Sequence, residues 1–271
     1  MIFLYILFVI GLIIATFQDF KRREIDDWLN YSLFVIGSFF LLFSSFLSDR
    51  TFDIANYGFF VFLMFILAIS FYNAKVFAGG DAKLLFAMSP ILFDIFFLKG
   101  LSNLILYLFI FFLVGGFYGL FYAVYMSTKN FKRFKKNFKN ELSKFNLKSI
   151  LCGCFVLFFF GFFYKFFFLL FLFCVIFLFL FAFAKAVDNG FMVRLVNVRE
   201  LKEGDWLVNN VKFRKRVIYV KWEGIGKKDI NFLKNYSKKI LIREGVPFGV
   251  VFLISFILYL LNIYLNFFRL F

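Results

Sequence analysis

Charge interrupts this sequence so rarely that its apolar runs decide what it can fold into. Apolar residues make up 63% of the chain and mean hydropathy is +0.87, whereas a soluble domain is about half apolar. So much apolar surface cannot enter one aqueous core, which excludes a soluble globular enzyme. A helix needs about 20 apolar residues to cross hydrocarbon, fewer where its ends snorkel. On that measure residues 2–17, 31–47, 57–72, 83–98, 101–126 and 247–268 are candidate spans. The first has no basic leading segment and no small-residue cleavage site after it. It reads as a retained span rather than a signal peptide.

Residues 149–184 form a further run of 36, uncharged except for Lys165. As one helix they would reach about 54 Å, against about 30 Å of hydrocarbon. Two short helices turning near 161–165 fit better. Charge supports the hairpin. Loop 127–148 carries Lys129, Lys132, Arg133, Lys135, Lys136, Lys139, Lys144 and Lys148 against Glu141 alone. Residues 185–245 hold 15 Lys and Arg against 7 Asp and Glu, and Lys21, Arg22 and Arg23 follow the first span. Basic loops favour the cytoplasm, and the two larger ones share a side only if the run between them crosses twice.

The expected fold is an all-α polytopic membrane protein with about eight transmembrane helices and a small α+β cytoplasmic insert, both termini outside. Its parts are a membrane domain over 1–126, a basic loop over 127–148, a hydrophobic hairpin over 149–185, the insert over 186–245 and a final helix over 246–271. The external connections, at 48–56, at Lys99-Gly100 and near Lys165, are short and poor in basic residues. The net charge of +16 therefore sets topology. A sharper use of the basic loops is contact with membrane lipid headgroups. No nucleic-acid motif accompanies them, so no nucleic-acid partner is expected.

Within the insert, residues 191–196 and 217–222 are rich in β-branched and aromatic side chains and predict strands. Gly224 and Gly226 mark a turn. Residues 227–238 predict a short amphipathic helix, with Ile230, Leu233 and Tyr236 three apart, and 239–242 another strand. About 60 residues bury only a small core. No nucleophile or metal set stands out there, so a structural or substrate-docking role is expected.

The chain has no histidine, which removes imidazole chemistry altogether. Carboxylates at a membrane are costly and become functional candidates. Asp19 ends the first span, in Gln18-Asp19-Phe20-Lys21-Arg22-Arg23-Glu24-Ile25-Asp26-Asp27. Asp81 follows a glycine pair, in Ala78-Gly79-Gly80-Asp81-Ala82-Lys83. Loop charges place both at the cytoplasmic membrane edge. Two carboxylates meeting at a partly desolvated site cannot both ionise easily, so such a pair can share a proton. One then acts as general base on water and the other as general acid. Glycines beside Asp81 allow a helix or an extended substrate to come close. The plain alternative is an interfacial charge at Asp19 and an ordinary loop at Gly79-Gly80.

Asp19, Arg23 and Ile25 fit the Asp-x-x-x-Arg-x-Ile pattern of type IV prepilin peptidases and archaeal preflagellin peptidases, the A24-type membrane aspartic peptidases. Gly79-Gly80-Asp81-Ala82-Lys83 resembles their Gly-x-Gly-Asp-x-Lys motif, with Ala78 in place of the first Gly. The similarity covers about residues 1–125. A weaker one, to longer archaeal members, lies at 200–205 and 243–248, while 127–190 match nothing usable. The resemblance implies an aspartic endopeptidase (EC 3.4.23.-) with Asp19 and Asp81 as its catalytic pair. It would cut pilin-like or archaellin precursors between a short basic leader and a hydrophobic helix, at the cytoplasmic face of the cell membrane. Gly79 and Gly80 are candidate substrate-contact residues. So are Glu24, Asp26 and Asp27, an acidic cluster that either attracts the basic leader or simply balances Lys21, Arg22 and Arg23.

Bacterial relatives often add N-methylation and a cysteine-rich zinc loop. Here Cys152, Cys154 and Cys174 lie in apolar runs without a Cys-x-x-Cys pair, so no metal and no cofactor are expected. Lys83 either assists Asp81 or anchors its helix at the interface. Pro90 and Asp94 suggest a kink and a polar contact. A presenilin-like protease shares the Gly-x-Gly-Asp motif, but its other aspartate lies inside a span beside a tyrosine. A transporter would carry its charges near the midplane with internal repeats. A scaffold would need neither aspartate.

Overall fold

The computed structural model describes residues 2–47, 54–74, 76–144, 147–161, 164–213, 216–221, 224–234, 236 and 239–265. The helices that precede the first strand are α1 (Ile2–Arg22), α2 (Asp27–Leu47), α3 (Ile54–Asn73), α4 (Gly79–Ala87), α5 (Ser89–Lys99), α6 (Leu101–Lys129), α7 (Phe131–Lys144), α8 (Leu147–Gly161) and α9 (Lys165–Phe191). There follow β1 (Val193–Val196), β2 (Trp206–Leu207), β3 (Val211–Phe213), β4 (Arg216–Ile218), α10 (Lys227–Leu233), β5 (Ile240–Arg243) and α11 (Gly249–Leu265). Among the described residues, five helices, α1, α2, α3, α6 and α9, are long and apolar enough to cross a membrane. The protein is a mostly α-helical multi-pass membrane protein with a small α+β insert. The other apolar regions are α8, of 15 residues, α11, of 17, and the α4–α5 pair.

The chain forms two compact units, Met1–Gly119 with Gly245–Phe271, and Leu120–Glu244. In the first, α4 and α5 occupy the centre. From Leu84 to Ile95 every residue is buried except Phe86, which is half-buried. The helix breaks at Met88, and Pro90 lies in the first turn of α5, where its missing N–H costs no helical bond. This is the kink that Pro90 predicts. The polar contact at Asp94 is the Tyr5 hydroxyl, which donates to Asp94 Oδ2 at 3.0 Å.

Small residues let the surrounding helices close on this centre, as packing rather than water expulsion drives helix association in lipid. Gly11 of α1 lies under Leu33 of α2, and Gly37 of α2 fits between Phe8 and Pro90. Phe77, Phe111, Phe248 and Phe252 pack ring against ring where α6 and α11 complete the cluster. The outward faces carry Phe17, Phe39, Phe59, Phe109 and Phe117, all exposed, as lipid-facing surfaces do.

In the second unit, α7 and α8 pack on α9. Phe158 of α8 meets Phe168 and Phe171 of α9. The expected loop over 127–148 is a correction: α6 runs on to Lys129 and α7 follows after Asn130. Phe131, Phe134 and Phe138 recur at helical spacing among the lysines, which gives that segment an apolar face to pack.

The insert holds an antiparallel sheet in the order β1-β5-β2 and a separate β3-β4 hairpin. Val193 pairs with Arg243 and Val196 with Ile240. Val196, Leu207, Val211, Ile218, Leu233 and Ile242 form its core. The expected strand at 217–222 is shorter, ending at Ile218, and the expected helix ends at Leu233. β2 and β3 lack a sequence signal of their own because each has only two or three residues. Gly204 and Gly224 both have positive φ, 92° and 82°, and their backbones touch where Gly204 N–H donates to Ile225 O. A side chain at Gly224 would strike that backbone. Trp222, Lys238, Phe268, most of the 48–56 connection, part of the turn before Lys165, and the side chains of Cys152 and Cys154 lie outside the described residues.

Candidate active site

Helical register explains how Asp19 comes to face inward. The buried residues of α1 are Leu4, Phe8, Gly11, Leu12, Ala15, Gln18 and Asp19, a stripe at three- and four-residue steps. Asp19 continues that stripe into the last turn of α1. Asp81 occupies the first turn of α4, three residues after the N-cap Ala78. Its carboxylate lies near the Ala78 backbone N–H at the start of the helix. Both side chains are buried, at 7% and 6% exposure, and the Asp19 charge acts directly on Asp81. The fold thus brings the two motif aspartates together.

The motifs also pack on each other. Ile25, six residues after Asp19, lies against Gly80: a Cβ on Gly80 would meet Ile25 N at 3.3 Å and Ile25 Cβ at 3.5 Å. Among the described residues, Gly79 has only Tyr72 within reach, at 3.8 Å from such a Cβ. So Gly80 serves helix packing, whereas Gly79 keeps backbone open beside Asp81. Ala78, at the motif's first position, is extended with φ −70°. Alanine adopts that conformation without strain, so no glycine is needed there.

Arg23 closes α1. Its φ is 58°, a left-handed conformation that costs a non-glycine residue about 1–2 kcal/mol. Its N–H bonds Asp19 O at 2.8 Å, an αL-type helix end. Its Nη1 donates to Gly245 O at 3.3 Å. The turn sends the chain into α2, and Gln18 Oε1 accepts Asp26 N–H at 2.9 Å to hold it there.

The acidic cluster is engaged. Asp26 Oδ2 lies 2.6 Å from Arg22 Nη2 and accepts Trp28 Nε1–H at 3.1 Å. Asp27 Oδ1 lies 2.6 Å from Lys83 Nζ, so Lys83 ties α4 to α2. Glu24 is exposed on the same turn. Both ion pairs are substantially exposed, so each is worth about 0–1 kcal/mol.

A component that the motifs do not name comes from the far end of the chain. Gly249, the first residue of α11, donates its N–H to Asp19 Oδ2 at 2.7 Å. The first N–H groups of a helix have no partner within it, and Asp19 takes that of Gly249. A Cβ on Gly249 would stand 3.2 Å from Asp19 Oδ2 and 3.4 Å from Thr16 Cα. Thr16 Oγ1 is 2.7 Å from Leu12 O and 3.2 Å from Gly249 O, which fixes the start of α11 against α1. Pro247 just before the helix and Gly249 at its first position are the signal available in sequence. Among the described residues, no three acidic or cysteine side chains cluster as metal ligands.

Comparison with curated proteins and with solved structures gives no match. The family model described as the type IV leader peptidase family matches residues 6–124. That stretch contains Asp19, Arg23, Ile25 and Gly79 to Lys83, all the residues on which the two motifs were recognised. Over its N-terminal membrane region, then, this chain is similar to the type IV leader peptidase family.

Proposed function

We propose that the protein is a membrane aspartic endopeptidase that removes short basic leaders from type IV pilin-like precursors at the cytoplasmic membrane face, with Asp19 and Asp81 as its catalytic pair. The observation that carries this reading is that two buried carboxylates, one from each motif, lie close enough for the charge of one to act on the other. One carboxylate takes a proton from water as the water oxygen attacks the scissile carbonyl carbon. The other gives its proton to the carbonyl oxygen. Collapse of the tetrahedral intermediate breaks the C–N bond, and the leaving amine takes up a proton from the pair. Gly79 leaves room for an extended substrate beside Asp81. Glu24, Asp26 and Asp27 attract the positive leader; their weak ion pairs with Arg22 and Lys83 exchange readily for substrate cations.

The test is cleavage of a tagged pilin precursor and a tagged archaellin precursor by membranes containing wild type, Asp19→Asn or Asp81→Asn. Wild type should cut at least one precursor and both variants should lose activity by about 10²–10⁴-fold. Absence of cleavage by wild type, or full cleavage by both variants, ends the proposal in favour of a transporter or scaffold. Preferential cutting of the archaellin precursor makes the protein a preflagellin peptidase of the same mechanism. Replacing Glu24, Asp26 and Asp27 together by Gln or Asn should slow cleavage more at low salt than at high salt. Equal slowing at both would remove them from leader binding.

A further inference from the structure

Helix α7 lies outside both the carboxylate site and the residues matched to the family. Phe134, Asn137, Phe138 and Glu141 form its inner face. Phe134 packs on Phe183 and Phe138 on Phe179, with ring centroids 5.3 and 5.5 Å apart. Glu141, the only acidic residue of α7, points inward too, between Lys144 Nζ at 2.6 Å and Asn189 Nδ2 at 3.0 Å. Asn137 lies against Gly190, where any Cβ would collide with it.

These contacts fix the level of α7 along α9. Phe177, Phe179 and Phe181 are exposed, as rings in lipid are, and the apolar run stops at Lys185. The helix is therefore pinned where the lipid-facing surface of α9 gives way to charge. On its outer face Lys132, Lys135, Lys136 and Lys139 are exposed. At 3.6 residues per turn they fall within about 100° of the circumference. The single carboxylate of the helix faces away from them and is already bonded.

We infer that α7 is an interfacial helix whose lysine face binds anionic lipid headgroups. Charge complementarity and position both favour a bilayer as the occupant. A clustered basic segment next to a membrane span attracts anionic leaflets, and a helix apolar on one side and cationic on the other lies in the interface plane. Exposed Phe131, 63% accessible at the start of the helix, supplies an apolar contact that suits lipid and not a soluble polyanion. The inference rests on the second unit alone and does not depend on the peptidase reading.

The full-length protein should be placed in nanodiscs of equal phosphatidylglycerol and phosphatidylcholine, partly delipidated, and its retained lipids quantified. The wild type should retain phosphatidylglycerol preferentially. A quadruple Lys→Gln variant at 132, 135, 136 and 139 should lose that preference by about tenfold or more. The quadruple Lys→Arg variant should keep it, and added salt should erode it. Should the Gln variant melt early in phosphatidylcholine alone, single Lys→Gln replacements decide, each lowering the preference stepwise. Equal retention of both lipids by wild type, or an unchanged preference after Lys→Gln replacement, would overturn the inference. So would displacement of the lipid by an equal charge of oligonucleotide, which would assign the face to a soluble polyanion.

Discussion

The two units hold their buried carboxylates in opposite ways. In the first, Asp19 and Asp94 accept bonds from neutral groups, the Gly249 N–H and the Tyr5 hydroxyl. In the second, Asp229 is gripped by Arg216 at 2.8 Å and Lys221 at 2.7 Å, and Glu141 by Lys144 at 2.6 Å. A carboxylate clasped by cations ties neighbouring elements together. One held by a backbone N–H or a hydroxyl has its geometry fixed by neutral donors. The difference sets the proposed catalytic acids apart from acids that join elements by charge.

The contrast is broken most severely at Gly249. Gly249→Ala places a Cβ against Asp19 and Thr16, and displacement of the carboxylate should lower the cleavage rate by about 10–100-fold. Global melting should change little, because the rest of α11 still packs. Unchanged single-turnover rates would show that the neutral donor is dispensable. Next in size, Asp229→Asn removes the acid shared by two cations. Arg216 and Lys221 are half-exposed and can turn to water, so the insert should lose about 1–3 kcal/mol. Precursor cleavage should stay at the wild-type rate. Hydrogen exchange in β4 and α10 measures the first effect, and a cleavage defect of the same size as at Gly249 would erase the distinction.

The smallest effect concerns pH. The Lys144 ammonium holds Glu141 below the usual carboxylate range. A lowered folded pKa means stability that is present above the unfolded pKa and lost as pH falls through the folded one. Contact of α7 with α9 should therefore weaken on acidification below about pH 4.3, the ordinary value for Glu. The loss should be under about 1 kcal/mol, since Lys144 is largely exposed. Glu141→Gln should flatten this dependence in the hydrogen exchange of α7. A variant with the wild-type pH profile would show that another group is responsible.

Several of these features are legible in the sequence, and the reasons differ. Asp19 and Asp81 stand out because each is a charge at the end of an apolar run, and the Pro90 kink follows from a missing donor. β1 and β5 follow from β-branched residues. The helix α7 hides behind its lysines: charge density reads as loop unless Phe131, Phe134 and Phe138 are counted at helical spacing. The partner of Asp19 is harder still, because apolar runs show that helices exist and not which ends meet. The Asp27–Lys83 pair is hidden for the same reason, since it depends on α2 and α4 lying side by side.

The bond between Gly249 and Asp19 spans 230 residues of sequence, and the whole second unit is made in between. At about 5–20 residues per second, roughly ten to fifty seconds of synthesis separate the two partners. A nascent chain held at the end of its insert thus already carries both motif aspartates but not the groups that fix the first of them. On this arrangement the Asp19 carboxylate gains its Gly249 donor only once α11 has been made.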